Sequence, residues 1–257
     1  MVGRAGAAIL LAPIMDTTAT RTSGRKPDQL RAIKFTRGFT EAPGSVLAEC
    51  GKTRVLCTVT VEERVPQWMY GKPGGWLTAE YAMLPGSGTP RKPRDGRTGR
   101  PIDGRSQEIQ RLVGRALRCA MDLPGMPECT LWVDCDVISA DGGTRTTAIN
   151  GSLVALYDAL LWMEEKRLLK KWPLRGMLSA VSVGLVKEVP MIDLDYVEDS
   201  TADVDMNVVC SADGRLIEVQ STAEQRPIAF EQFQAMLDLA RVGCTQVLEL
   251  QKKVLGI

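Results

Sequence analysis

The segment ADGGTRTTAIN, residues 140–150, carries residue types that could hold a phosphate group. It lies between a strand-like run and a helix-like run. Gly142 and Gly143 let the backbone approach a ligand or adopt positive φ. Thr144 adds a hydroxyl donor, and Arg145 adds a planar fork that matches a phosphate edge. A helix that begins near Thr146 would complete an anion site with its free N–H groups.

The same residues have two other interpretations. A Walker A loop is disfavoured, because no Gly-Lys-Ser/Thr follows the glycines. A helix cap with a tight turn and a surface arginine stays open, since spacing alone does not distinguish it from a phosphate site.

The stretch IDLDYVEDSTADVDMN concentrates carboxylates that could bind a divalent cation. Its acidic residues occupy positions 193, 195, 198, 199, 203 and 205. Converging carboxylates suit Mg²⁺ better than Zn²⁺. A pair of solvated strand edges would have the same composition, so that alternative stays open.

Residues 85–105, PGSGTPRKPRDGRTGRPIDGR, are rich in Gly, Pro and Arg and predict a loop. Its cations are Arg91, Lys92, Arg94, Arg97, Arg100 and Arg105. Such a flexible polycation suits a phosphodiester backbone, although it holds no aromatic residue for stacking on bases. A solvated loop or a contact between subunits is the alternative.

The composition excludes several classes of chemistry. The chain has no histidine, which removes Ser-His-Asp and Cys-His sites and every His-containing metal site. The net charge of +1 means that a nucleic-acid surface must be a local patch. Seven cysteines without CxxC spacing, three of them (Cys57, Cys135 and Cys210) in strand-like runs, indicate free thiols and a cytoplasmic compartment.

The elements that must position these residues are typical of an α+β fold with helices against mixed sheets. SVLAEC and TRVLCTVTVE, joined by Gly-Lys, predict a hairpin. Further strands are predicted for GGWLTAEYAML, TLWVDCDVIS, SAVSVGLV, MIDLDYV, ADVDMNVVC and RLIEVQ. Helices are predicted for SQEIQRLVGRALRCAM, GSLVALYDALLWMEE, FEQFQAMLDLAR and TQVLELQKKVLG. The buried stripe of the second helix is Ile149, Leu153, Leu156, Leu160 and Met163.

The N-terminal residues predict neither a membrane span nor a domain. The apolar run there is about ten residues long, too short to cross a bilayer, and no other stretch is apolar enough. We expect residues 1–24 to form a disordered extension and the protein to have no membrane partner.

Five segments together resemble the bacterial RNase PH family: GWLTAEYAMLP, DGRSQEIQRLVGRALR, DCDVISADGGTRTTAINGS, YVEDSTADVDMNVV and EVQSTAE. The match runs from about Arg21 to the C-terminus, with the motifs in the expected order. The resemblance implies a fold like the second domain of ribosomal protein S5. It also implies a homohexamer built as a trimer of dimers. Residues 25–170 would form the first half, with the phosphate and RNA site, and residues 171–257 the second.

The resemblance also implies an activity: phosphate-dependent 3′→5′ trimming of tRNA precursors, releasing nucleoside diphosphates and running in reverse as a nucleotidyltransferase. A role in rRNA processing would fit the same activity. Inorganic phosphate would be the co-substrate and Mg²⁺ the cofactor. The missing histidine then makes chemical sense, because phosphate is already anionic and needs no base to activate it. A catalytically silent RNA-binding ring subunit and a P-loop-like nucleotide kinase remain as alternatives.

The matched motifs assign roles to particular residues. The phosphate-binding residues would be Arg105, Gly143, Thr144 and Arg145. The catalytic residues would be Arg145, Asp199 and Asp205, of which the two aspartates would hold the metal. We expect the loop cations Arg91, Lys92, Arg94, Arg97 and Arg100 to bind RNA.

Overall fold

The computed structural model describes residues 21, 23–94, 101–224 and 226–257, which form two sheets and four α-helices. The first sheet has the order β1-β2-β3-β5-β4, with β4 parallel to β5 and the other neighbours antiparallel. Its strands are β1 Ile33–Arg37, β2 Gly44–Cys50, β3 Thr53–Glu62, β4 Trp76–Met83 and β5 Thr130–Ser139. The predicted α+β class with helices on mixed sheets is therefore confirmed.

The second sheet is antiparallel throughout, in the order β7-β6-β8-β9. Its strands are β6 Leu178–Val186, β7 Val189–Ile192, β8 Val204–Ser211 and β9 Leu216–Ala223. The helices are α1 Gly104–Cys119, α2 Thr144–Glu165, α3 Tyr196–Asp199 and α4 Phe230–Leu255. In the part of the chain that the structure describes, no helix combines the length and the apolar content that a membrane crossing needs.

Helix α2 lies between the sheets and contacts β2 and β3 on one side and β6 on the other. All five residues of its predicted stripe are fully buried. Gly151 permits the close approach of α2 to β2 and β3, because a Cβ at this position would come within 2.6 Å of the Ala48 Cβ and 2.7 Å of the Cys57 Sγ. The long apolar helix thus forms the middle layer of the molecule and fixes where its own N-terminus can lie.

Local patterns predicted several elements correctly. The hairpin of β2 and β3 turns at Gly51–Lys52, where Gly51 has φ +58°. Strand β5 spans the predicted TLWVDCDVIS, and its odd-numbered residues from 131 to 137 are buried while residues 132, 134 and 136 are half-buried. This alternation is what a strand with one covered face requires.

Two predictions near the second sheet were wrong. The MIDLDYV run is a strand only up to Ile192, because Asp193 takes φ +54° and Asp195 caps helix α3. The two helices predicted at the C-terminus are one, α4, which continues through Gly243. A Cβ at Gly243 would lie 2.0 Å from the Ile192 side chain, so the glycine serves close packing rather than a break.

The expected N-terminal extension lies mostly outside the described residues. Its end does not, because the Arg21 side chain is completely buried against Glu198. Arg21, which lies within the predicted extension, therefore packs against the second half of the chain. Strand β1 was not predicted from the sequence.

A buried asparagine joins the two halves of the core. The Asn150 Nδ2 donates to the Ala180 carbonyl at 2.8 Å, and the Ala180 N–H donates to the Asn150 Oδ1 at 2.7 Å. Asn150 belongs to α2 and Ala180 to β6, so these bonds connect helix and second sheet. Buried amide pairs of this kind are expensive to break, because both backbone groups lose their partners.

We expect Asn150→Ala to lower the free energy of unfolding by about 2–4 kcal/mol, since two hydrogen bonds are lost and two buried groups are left unpaired. Urea denaturation monitored by circular dichroism measures this. The exposed Gln234→Ala is the matched control and should change the value by less than about 0.5 kcal/mol. An equal, small effect of both changes would contradict the assignment.

Candidate active site

The two adjacent glycines form a left-handed turn at the N-terminus of α2. Gly142 has φ +74° and Gly143, the N-cap, has φ +65°. A Cβ on Gly142 would lie 2.4 Å from the Leu194 carbonyl oxygen, so the turn is pressed against the segment that leads to α3. The helix begins at Thr144, slightly earlier than the sequence predicted. The predicted site residues Gly143, Thr144 and Arg145 therefore lie together at a helix N-terminus, where N–H groups favour an anion.

Thr144 is buried at this N-terminus and its side chain has a specific partner. The Tyr81 hydroxyl, from β4, donates to the Thr144 Oγ1 at 2.9 Å. The next two threonines behave differently, because Thr146 and Thr147 donate to the Gly143 carbonyl at 3.1 and 2.8 Å. Sequence reasoning did not single out Tyr81, and only its place in a strand ending near the glycines could have indicated it.

Arg145 reaches across to the second sheet and back to α1. Its Nη1 lies 3.4 Å from the Asp205 Oδ2, and its Nη2 lies 3.2 Å from the Glu108 Oε2. Its Nε is buried and has no hydrogen-bond partner among the described residues. A partly buried guanidinium with an unused N–H and ion pairs of 3.2 and 3.4 Å has capacity left for an anionic ligand.

Arg105 lies in the first turn of α1, a helix capped by Asp103, whose side chain accepts from the Ser106 N–H. The Arg105 side chain is exposed, yet its positive charge opposes the rise in the pKa of both Asp199 and Asp205. The structure thus brings Arg105 near Arg145 and the two aspartates. The charged residues predicted for phosphate and metal binding therefore lie within electrostatic reach of one another.

Asp199 ends helix α3 and Asp205 lies in the neighbouring strand β8. Burial raises the pKa of Asp199, the charge of Asp205 raises it further, and Arg105 and Arg145 oppose the rise. Burial also raises the pKa of Asp205, against the charge of Arg145 and a hydrogen bond from Asn207. Two carboxylates that repel each other in a half-buried place are a setting that a cation would stabilise.

The donor set fits Mg²⁺ rather than a cation held by protein ligands alone. No group of three or more His, Cys, Asp or Glu side chains in the described ranges is arranged to hold a metal. Mg²⁺ is usually held by one or two carboxylates, with water and substrate phosphates completing its shell. The pair Asp199 and Asp205 matches this pattern.

The other acidic residues of this stretch have structural partners. Asp193 accepts from the Arg31 Nε and Nη2 at 3.0 and 2.7 Å, and from the Arg31 backbone N–H at 2.7 Å. Burial acts to raise the pKa of Asp193, but these bonds and the charge of Arg31 outweigh it and lower the pKa. Glu198 is paired in the same way with Arg21. These two carboxylates are therefore parts of buried ion pairs and not candidate metal ligands.

Arg31 also holds the glycine turn. Its Nη1 donates to the Asp141 carbonyl and its Nη2 lies 3.4 Å from the Gly142 carbonyl oxygen. Thr53 supports the same turn, since its hydroxyl donates to the Gly142 carbonyl at 2.7 Å and accepts from the Asp141 N–H at 2.9 Å. Sequence reasoning missed Arg31 and Thr53, because each acts on residues about ninety or more positions away.

The arginine-rich loop is only partly described. Arg97 and Arg100 lie outside the described residues, while Arg91 and Arg94 are exposed. Lys92 has a structural role, because it forms an ion pair with Asp103 and donates to the Ser106 Oγ at 3.3 Å. It therefore helps to fix the start of α1, next to Arg105, and differs in this from its two exposed neighbours.

Comparison with known proteins agrees with this architecture. Residues 29–161 match domain 1 of the 3′ exoribonuclease family and residues 176–243 match domain 2. The chain is 47% identical over 238 residues to a ribonuclease PH from Syntrophomonas wolfei, an alignment that covers 92% of this chain and 99% of that protein.

Solved structures share the fold at low identity. Rice Rrp46 matches with a TM-score of 0.74 and 18% identity, over 91% of this chain and all of that one. The Archaeoglobus fulgidus exosome, solved with RNA bound to the active site, matches with a TM-score of 0.73 and 22% identity, over 89% of this chain and 91% of that one. On the family matches and the 47% identity, this chain belongs to the RNase PH family of 3′ exoribonucleases.

Proposed function

We propose that this protein removes nucleotides from the 3′ ends of tRNA precursors by phosphorolysis and releases them as nucleoside diphosphates. The observation that carries this is the meeting of Arg145, with its unused buried Nε, and the carboxylates of Asp199 and Asp205 at the N-terminus of α2. Cations that attract a phosphate lie beside carboxylates that attract a metal. The chain has no histidine with which to activate water.

In this mechanism inorganic phosphate is the nucleophile. The Gly143 and Thr144 end of α2, with Arg105 and Arg145, holds it and aligns it with the last phosphodiester of the RNA. An oxygen of the phosphate forms a bond to the phosphorus of the terminal nucleotide, and the bond from that phosphorus to the 3′ oxygen of the preceding nucleotide breaks. The leaving oxygen takes up the proton that hydrogen phosphate carried. A diester is exchanged for an anhydride, so the reaction is reversible.

Asp199 and Asp205 would hold Mg²⁺, which supplies neutralisation of the charge that develops on the scissile phosphate group. Both carboxylates are half-buried, which strengthens their attraction for a cation. Asn207 and Arg145 hold the Asp205 carboxylate by hydrogen bonds of 3.2 and 3.4 Å.

The finer biological setting is part of the same proposal. The enzyme would work in the cytoplasm as a homohexamer, a trimer of dimers, on tRNA precursors and in rRNA processing. Residues 25–170 would form the phosphate- and RNA-binding half and residues 171–257 the metal-binding half. All seven cysteines are free thiols, which suits a reducing compartment. The break between the two matched family domains supports the division.

The direct test is release of nucleotides from a 3′-labelled tRNA precursor with and without inorganic phosphate. We expect release to require phosphate and to yield nucleoside diphosphates, because the site offers cations for a phosphate and the chain has no histidine to activate water. Thin-layer chromatography identifies the product. Nucleoside monophosphates released without phosphate would refute the proposal.

Arg145→Ala should reduce kcat/KM by about a hundredfold, on the order of 3 kcal/mol, since it removes a charged clamp on the attacking group. RNA affinity, measured by filter binding, should change little. Arg145→Lys keeps the charge without the planar fork, so its kcat/KM should lie between those of the wild type and Arg145→Ala. The exposed Arg64→Ala serves as the control. Activity of Arg145→Ala within threefold of wild type at saturating phosphate would exclude this role.

Asp199→Asn and Asp205→Asn should each slow turnover, with extra Mg²⁺ partly rescuing the weaker variant. Because the pKa of both carboxyls is raised, they take up protons at a higher pH than ordinary aspartates, and the metal must compete with those protons. The Mg²⁺ concentration for half-maximal rate should therefore rise as the pH falls. The exposed turn variant Asp213→Asn should show wild-type rate and Mg²⁺ dependence. If Asp199→Asn and Asp205→Asn both kept the wild-type dependence of rate on Mg²⁺, the metal would have to bind elsewhere.

We predict that the loop cations bind the body of the RNA. We expect the triple change of Arg91, Arg94 and Arg97 to Ala to weaken binding of a tRNA precursor. The slope of log K against log salt concentration should become shallower by about 0.7 to 0.9 for each lost phosphate contact. Phosphorolysis of a short oligonucleotide should change little. Lys92→Ala, made separately, should instead affect both substrates through the start of α1.

The mass of each loop variant in solution must be measured, because loss of the oligomer would mimic loss of RNA binding. Equal loss of activity on both substrates in a triple variant of unchanged mass would place the loop in the active site.

A further inference from the structure

Tyr81 lies directly beneath the candidate phosphate site without belonging to the set that the family motifs assign. It is on the core face of β4 and is 3% exposed, and its hydrogen-bond partner Thr144 is 5% exposed. Their oxygens are 2.9 Å apart. A buried phenol that contacts a ligand-binding hydroxyl can decide where the proton of that hydroxyl points.

The direction of the bond follows from the chemistry of the two groups. A phenol is the stronger donor and an aliphatic hydroxyl the better acceptor. Burial raises the pKa of Tyr81, against the hydrogen bond to Thr144 and the charge of Arg105, so the phenol keeps its proton at neutral pH. The proton between the two oxygens therefore belongs to Tyr81.

Thr144 has a single hydroxyl hydrogen, which this arrangement leaves for another acceptor. Thr146 and Thr147 spend theirs on the Gly143 carbonyl, whereas Thr144 donates to no atom in the described ranges of the chain. The neighbouring Arg145 Nε is likewise a buried donor without a partner there. Two unused donors on consecutive residues thus meet at the N-terminus of α2.

We propose that Tyr81 is a positioning residue that turns the Thr144 hydroxyl into an obligatory donor to the attacking phosphate. This inference rests on the proposed phosphorolytic function. It explains why a tyrosine and not a phenylalanine occupies a core position of β4: the ring fills the core, and the hydroxyl orients Thr144. Without that donor, Thr144 can rotate and spend its proton on a backbone carbonyl, as the next two threonines do.

Tyr81→Phe tests this, since it removes one oxygen and keeps the ring. We expect the KM for phosphate to rise about fivefold, equivalent to about 1 kcal/mol, while kcat and the KM for RNA change less than twofold. Calorimetric titration of inorganic phosphate into the variant should show the same loss of affinity without any turnover. A loss of core packing would instead change the KM for phosphate and the KM for RNA alike.

A double-mutant comparison separates positioning from a structural role. In a Thr144→Val background, Tyr81→Phe should leave the KM for phosphate unchanged, because no hydroxyl remains to be oriented. In a Thr144→Ser background, which keeps the hydroxyl, it should raise the KM about fivefold again, equivalent to about 1 kcal/mol. Equal effects in the Val and Ser backgrounds, or a phosphate KM unchanged by Tyr81→Phe, would overturn the inference.

The wild-type assay separates failure of the proposed function from failure of the inference about Tyr81. Release that needs no phosphate would overturn the proposed function, and this inference with it. Phosphate-dependent release by the wild type together with an unaffected Tyr81→Phe variant would overturn this inference alone.

Discussion

The geometry of the site depends on one buried ion pair, between Arg31 and Asp193. Arg31 gives three hydrogen bonds to the Asp193 carboxylate and directs the rest of its guanidinium at the Asp141 and Gly142 carbonyls. A buried guanidinium is tolerated only when its charge and its N–H groups are matched, and here both are. Because Asp193 precedes α3 and Gly142 precedes α2, this pair connects the glycine turn proposed to bind phosphate to the segment that carries Asp199. Removing either partner would leave a buried charge, a change that typically costs about 3–5 kcal/mol.

A second ion pair extends this arrangement to the N-terminal segment. Arg21 donates to both oxygens of Glu198 and to the Ile192 and Asp193 carbonyls. Glu198 also closes the capping box of α3 through the Asp195 N–H. The residue next to Asp199 is thus fixed by an arginine that lies 177 positions earlier in the chain. The ion pair between Arg21 and Glu198 thus holds the segment that carries the candidate metal ligand Asp199.

The sequence predicted best what local periodicity and turn chemistry determine. The alternation in β5, the Gly-Lys hairpin and the apolar stripe of α2 each reflect short-range patterns, and the structure has all of them. The site residues came from motif resemblance, and the structure places Arg105, Arg145, Asp199 and Asp205 together; their roles stay predictions. The features that the sequence did not predict are those that depend on contacts between residues far apart in the chain. Strand β1 is short, α3 is a capped turn inside a strand-like run, and Gly243 in α4 is explained only by Ile192. The functions of Arg21, Arg31, Thr53 and Tyr81 depend on partners far along the chain, which no local pattern indicates.

Helix α4 has a consequence for how the protein folds as it is synthesised. Met236 and Cys244, in its N-terminal and middle turns, pack into the core of the second sheet, while Leu248 and Leu255 pack into the core of the first. Domains usually fold in order as they leave the ribosome, the N-terminal one first. Here the first core stays incomplete until residues 248–255 have emerged from the exit tunnel. The first core therefore needs a segment that is made more than a hundred residues after its last strand, so a ribosome that stalls before residue 248 leaves that core incomplete.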